Sequence, residues 1–210
     1  MASQSVDSFR FRSGSLVLLW VALVAIGICG RLWQPAANVT PLAAIALVSG
    51  SLFAGSVGGS LVAAATPLAA VLLSNLVLPA YGSPVMAVVV YAALAWPSLL
   101  GGVIRRQGWL AIFGGSLAAS LVFFLSTNLA HWALSQQYPH TLAGLGACYV
   151  AALPFYRWMP VGDLVWTATL FAGLTFLSRL SQSAFGKPMA FAASRSETAG
   201  RLTSDHSGRQ

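Results

Sequence analysis

The 26 residues Trp109–Leu134, WLAIFGGSLAASLVFFLSTNLAHWAL, contain no Asp, Glu, Lys or Arg. The hydrocarbon core of a bilayer is about 30 Å thick and takes roughly 20 apolar residues to cross as a helix. A run longer than that reads as a membrane span that tilts or reaches into the headgroups with its ends. Ser116, Ser120, Thr127 and His131 follow one another at spacings of four, seven and four, so they share one helical face. Asn128 flanks that stripe, while Phe123, Phe124 and Leu125 are free to cover lipid or neighbouring helices.

Working outward, the rest of the chain has the same character. Of 210 residues, 57% are hydrophobic and 7% charged, against about 25% charged in ordinary soluble domains. So few charges cannot cover a soluble surface, and lipid takes that place. The reading is an all-α integral membrane protein with six transmembrane helices, at residues 15–30, 41–56, 60–78, 85–104, 109–134 and 161–180. Residues 1–14 form a polar lead, and residues 181–210 lose periodicity and read as a disordered tail. The basic lead and first apolar run also fit a signal peptide, but the spans that follow favour an uncleaved first helix. Pro67 and Pro97 fall inside spans, where they are expected to kink them. Ala46, Gly50 and Ala54, at four-residue spacing, point to close helix packing.

Residues 142–157 are apolar but too short to cross, so they are read as an external re-entrant or interfacial helix. Charge supports this. The chain has 11 Lys and Arg residues. Six spans with the N-terminus inside leave only Arg31 and Arg157 outside, whereas a seventh crossing would put most of the basic residues outside. Lys and Arg favour the cytoplasmic side, so both termini are expected there, in a bacterial inner membrane. The basic residues lie at the chain ends and between spans and are not interleaved with stacking aromatics, which argues against nucleic acid as a partner. The partners implied are the lipid bilayer and a small solute.

In this topology polar side chains gather toward the outer ends of the spans. Arg31, Asn38, Thr40, Asn75, Tyr81, Tyr91, Asn128, His131, Tyr138, Tyr149, Tyr156, Arg157, Asp163 and Trp166 all fall there. Polar groups in a bilayer are costly unless paired or wetted, which suggests a cavity open to the outside. Tyrosine and tryptophan at the interface are ordinary in themselves. Asn75, Asn128, His131 and Asp163 are the more specific set and are expected to floor a pocket, with Asn128 and Asp163 as polar contacts and Trp132 and Tyr149 as walls. Residues 138–158 would form its lid. Asp163 is the only acidic residue between Asp7 and Glu197. It reads either as a structural ion pair with Arg31 or Arg157, or as a group that meets a solute or proton. The single cysteines Cys29 and Cys148 both fall on the outer side, where a bond would need Cα atoms within about 7 Å.

The sequence has no GxxxxGK[ST], no HExxH and no metal-ligand spacing. Neither cofactor nor metal is expected, and the chain is not expected to be an enzyme. A His–Asp–Ser triad can be imagined from His131 or His140, but no spacing fixes its geometry. A structural or assembly role without a solute is the competing reading.

A series of short motifs carries a family resemblance. Asn38-Val39-Thr40-Pro41, Phe123-Phe124-Leu125-Ser126-Thr127-Asn128, Tyr138-Pro139-His140-Thr141, Gly144-Leu145, Cys148-Tyr149, Pro154-Phe155-Tyr156 and Gly162-Asp163-Leu164 occur in order. Together they resemble a bacterial domain-of-unknown-function family (6580) described as transport proteins similar to the S components, the substrate-binding membrane subunits, of energy-coupling-factor transporters. The resemblance covers roughly residues 30–173. It implies an S-component-like six-helix bundle and an energising transporter module as partner. Two positions depart from it. Asn75 follows Ser74 where the family usually has Ser-Asp, and residues 15–30 lack the Ala-x-x-x-Ala pattern through which S components often dock.

Overall fold

The computed structural model describes residues 13–34, 36, 38–79, 81–104 and 106–185. Eight helices follow in order: α1 (Ser13–Leu32), α2 (Leu42–Phe53), α3 (Val57–Ser74), α4 (Pro84–Ala95), α5 (Pro97–Ile104), α6 (Trp109–Leu134), α7 (Leu142–Tyr156) and α8 (Met159–Phe185). Among the described residues there is no strand. The chain divides into two compact units, residues 1–175 and 176–210. Of the second, residues 176–185 are described and are helical, so part of the segment expected to be a disordered tail is ordered as helix. The remainder of that expected tail, and most of the expected N-terminal lead, lie outside the described residues.

Five helical stretches are long and apolar enough to cross a membrane: Gly14–Leu32, Val57–Ser74, Pro84–Ile104, Trp109–Leu134 and Met159–Ser181. They are compatible with a multi-pass membrane protein and match five of the six expected runs. The third stretch is α4 and α5 together. Pro97 has no backbone N–H, and the chain passes it through a tight turn in which Leu99 N–H reaches Trp96 O at 3.0 Å. Pro67 behaves differently, lying inside α3 without ending it.

The expected second span differs most. It is helical over only 12 residues, α2, or about 18 Å at 1.5 Å per residue. Pro41 and the irregular segment before it take up the rest of the loop from α1. This short helix is the most enclosed element of the bundle. Ala44, Ile45, Ala46 and Leu47 are fully buried, and Ser49 donates to the Ala63 carbonyl of α3 at 2.8 Å. On its opposite contact, Gly50 meets α5 backbone to backbone. A Cβ there would lie 2.0 Å from the Ser98 carbonyl oxygen, and one on Gly101 would lie 2.2 Å from the Leu47 oxygen. The small-residue stripe is thus a packing seam against α5, with Ala54 meeting Gly102 further along it.

Side-chain contacts fix the directions of the helices. Gly27 of α1 packs on Ala70 of α3 and on Leu42 and Ile45 of α2, and Arg31 reaches Val71, Ser74 and Asn75. So α1 and α3 end on the same side, and α2 starts there and runs back. α6 and α8 are antiparallel, with Trp109 against Phe171, Ser116 bonded to Thr167 at 3.0 Å, and Ser120 bonded to Asp163. One end of the first unit therefore collects the C-terminal ends of α1 and α3 and the first turns of α2 and α8.

Helix α7 corresponds to the expected short external helix. Thr141 caps it by accepting from Gly144 N–H at 3.1 Å. It runs antiparallel to the last third of α6, where the Tyr149 hydroxyl donates to Leu125 O at 2.8 Å and the Cys148 thiol points at Asn128 O at 3.7 Å. Phe124 and Tyr156 stack with ring centroids 4.4 Å apart at the foot of this hairpin.

Candidate functional site

At the Arg31 end, two cavities adjoin. The first, of about 220 Å³, is lined by the end of α1 and the following loop (Arg31, Gln34, Asn38, Thr40), the start of α2 and the α3–α4 loop with Tyr81. Its far wall is α4 (Val90, Leu94), α6 (Ala119, Phe123) and the first turn of α8 (Met159, Asp163). The second, of about 260 Å³, lies between α6 and α7 and is lined by Thr127, Asn128, Ala152, Phe155 and Tyr156 together with Met86. Asn38, Phe123 and Met159 belong to both. A few polar groups converging among apolar and aromatic walls is the usual make-up of a small-molecule site.

Two glycines bring the walls together. Gly30 lets Pro41 approach so closely that a Cβ would sit 2.4 Å from its Cδ, and Gly162 does the same for Val39, with 2.7 Å to Cγ1. The loop carrying Asn38 and Thr40 is thereby pressed between α1 and α8, beside Asp163. Within it Asn38 takes φ 63°, a left-handed conformation that asparagine tolerates better than most residues. That turn sets Asn38 at the seam of the two cavities.

The two charged groups are held differently. Arg31 is half-buried, and its Nη1 donates to Val71 O at 3.1 Å, to Ser74 Oγ and to Asn75 Oδ1 at 2.9 Å, all at the end of α3. Ser74 passes its own proton on to Ala70 O at 2.7 Å. Asp163 is 5% exposed and accepts from Ser120 Oγ at 2.5 Å. Facing Ser120, it sits level with the middle of α6. Neither expected cation pairs with it: Arg31 bonds α3, and Arg157 lies over the Trp158 ring at 5.6 Å. At the cavity rim, burial pushes the Tyr81 phenol above its ordinary pKa, an effect the nearby Arg31 charge partly offsets.

Of the residues expected to form the site, Arg31, Asn38 and Asp163 line the first cavity, and Asn128 lines the second. Asn75 stands one layer back, orienting Arg31 and donating weakly to the Tyr91 hydroxyl at 3.5 Å. His131, Trp132 and Tyr149 line neither cavity. His131 bonds Gln137 at 3.2 Å, the Trp132 indole donates to Pro139 O at 3.0 Å, and Tyr149 holds α7 on α6. The expected lid contributes through Ala152, Phe155 and Tyr156, at the foot of α7, while its upper part packs beside α6. Cys29 and Cys148 are both free thiols, one exposed and one buried. Gln34 and Met159 carry no pattern that marks them in the sequence. The polar stripe of α6 marks Ser120, but no spacing in the sequence pairs it with Asp163.

These features define a multi-helix protein of membrane-compatible, all-α build with a polar cavity set between its helices. The model of the Family of unknown function (DUF6580) matches residues 10–185, and the chain belongs to that family. Neither a curated protein nor a solved structure matched the chain.

Proposed function

We propose that this chain is the solute-binding component of a membrane transport system, without enzymatic activity. It would be a six-pass bundle of the S-component kind in a bacterial inner membrane, with both termini cytoplasmic and the cavities facing outward. The direction of α2 opposite to α1 and α3, and of α8 opposite to α6, supports six passes. The short α2 can serve as one because neighbouring helices, and not lipid, surround it, and non-lipid-facing segments need not match the bilayer in length. A partner module or an ion gradient would energise transport, since no nucleotide-binding motif is present in the sequence.

The observation that carries the reading is a buried carboxylate, Asp163, on the wall of a cavity that also presents Arg31, Gln34, Asn38 and Thr40. An intramembrane ionisable group facing such a space is by default a ligand or ion contact. The test is a thermal-shift screen of the full chain in nanodiscs against vitamins, nucleobases, amino acids and metal ions. A ligand at one hundred times its Kd stabilises the fold by about 2.7 kcal/mol. Asp163→Asn and Asn128→Ala should lose that stabilisation while remaining folded. A parent chain that responds to none of these solutes, with variants that change only its stability, would favour the scaffold role instead.

A further inference from the structure

We infer that the solute is a small zwitterion, its carboxylate held by Arg31 and its ammonium by Asp163 across the first cavity. This rests on the solute-binding reading above and names the chemical class that the site selects.

The argument starts from two opposite charges that share a cavity without meeting each other. Every hydrogen bond of Arg31 runs through Nη1 to the end of α3, so its Nε and Nη2 have no partner among the described residues. The backing by Val71, Ser74 and Asn75 fixes the guanidinium plane and leaves one edge unused. That edge carries parallel N–H groups, the geometry that grips a carboxylate with two bonds. Asp163 is similarly half-used. Oδ2 accepts from Ser120, and Oδ1 has no partner among the described residues. A buried carboxylate with one neutral donor is short of compensation, and a cation with several N–H groups supplies what is missing.

A singly charged solute would satisfy one side and leave the other exposed to a low-dielectric cavity. A solute carrying both charges satisfies both. The neutral polar groups fit this division, since Gln34, Asn38, Thr40 and Tyr81 add hydrogen bonds without adding charge. The remaining walls, Leu42, Val90, Leu94, Phe123 and Met159, suit a short apolar side chain. At about 220 Å³ the cavity is smaller than the roughly 300–1,000 Å³ of pockets for drug-sized ligands, which suits a solute of the size of an amino acid.

The experiment uses the full chain in nanodiscs and reads ligand-dependent melting and equilibrium binding. The probes, beside the vitamins and nucleobases of the screen above, are the twenty α-amino acids, β-alanine and γ-aminobutyrate, each with its decarboxylated amine and its acid lacking the nitrogen group. At least one zwitterion should bind, and its matched amine and acid should each bind at least about tenfold more weakly, the loss expected for a charge-assisted hydrogen bond. Asp163→Asn should narrow the gap between zwitterion and acid, and Arg31→Gln the gap between zwitterion and amine. The wild-type comparison needs no variant, so it decides the matter even if a variant fails to fold. Binding of the amines or acids as tightly as the zwitterions overturns the inference and leaves the transport reading standing. Silence toward every zwitterion, with a response to a vitamin or nucleobase, has the same consequence. Silence toward all of these solutes overturns both.

Discussion

Ser120, near the middle of α6, donates its hydroxyl hydrogen to the Asp163 carboxylate of α8 over 2.5 Å. One turn of each helix away, Thr167 donates to Ser116 at 3.0 Å, so the two helices are joined by a pair of polar rungs in otherwise apolar surroundings. Ser120→Ala removes the one hydroxyl that the carboxylate bonds among the described residues. A buried group left short of a partner costs about 1–3 kcal/mol, and the melting temperature of the purified chain should fall accordingly. Thr169→Ala is the comparison, because that exposed hydroxyl bonds only Val165 O of its own helix; it should stay within about 0.5 kcal/mol. Equal effects of the two substitutions would show that the rung contributes nothing.

The seam between α2 and α5 has no room for a methyl group. Gly50→Ala or Gly101→Ala would drive a Cβ into backbone atoms that cannot rotate away. Overpacking of this kind costs about 1–3 kcal/mol, sometimes more, and the folded yield in detergent should drop sharply. Gly114→Ala meets nothing within 4 Å and should be tolerated. Folded yield of Gly50→Ala equal to that of Gly114→Ala would mean that the helices can part without loss.

Gly162 and Val39 should behave as a coupled pair. Gly162→Ala collides with the Val39 side chain at 2.7 Å, and a β-branched residue has little rotamer freedom with which to yield. Val39→Ala clears the space, so the double variant should be more stable than the sum of the single effects predicts, by at least about 0.5 kcal/mol in a double-mutant cycle. Additive effects would show that the loop holding Asn38 does not depend on this contact.

Topology can be read with reporter fusions. Fusions after Arg106 and Arg195 should report the cytoplasm, and one after Gln137 the outside, as the positions of the basic residues require. A C-terminal fusion reporting from outside would remove the six-pass arrangement and make α7 a crossing segment.

Much of the fold could be read in the sequence because lipid imposes a simple rule. The run from Trp109 to Leu134 and the helix α6 have the same ends, and α7 begins at Leu142 as the apolar stretch does. The shortness of α2 could not be read, since it depends on shielding by α3 and α5 and not on its own hydropathy. The site was legible in part. Arg31, Asn38, Asn128 and Asp163 stand out as polar residues in apolar context. His131 and Trp132 stand out equally, yet α6 continues well beyond the level at which α8 begins, so these two meet the α6–α7 turn and not a cavity. Depth along a helix is set by neighbours, and a linear spacing does not report it. The closeness of Val39 to Gly162 and of Pro41 to Gly30 is likewise a tertiary fact that composition leaves unmarked.

The enclosure of α2 has a consequence for biogenesis. As the chain emerges from the ribosome, this 12-residue segment appears before α3 and α5, whose carbonyls and glycines complete its surroundings. It is too short to settle in the bilayer as an independent span. At about 5–20 residues per second, it must wait seconds for α5, held meanwhile by α1, by α3 as it follows, or by the insertion machinery. In the six-pass arrangement proposed above, membrane commitment of α2 is then decided by later sequence. Substitutions at Gly101, far downstream, should register first as failed insertion and early degradation, before any effect on a mature protein is seen.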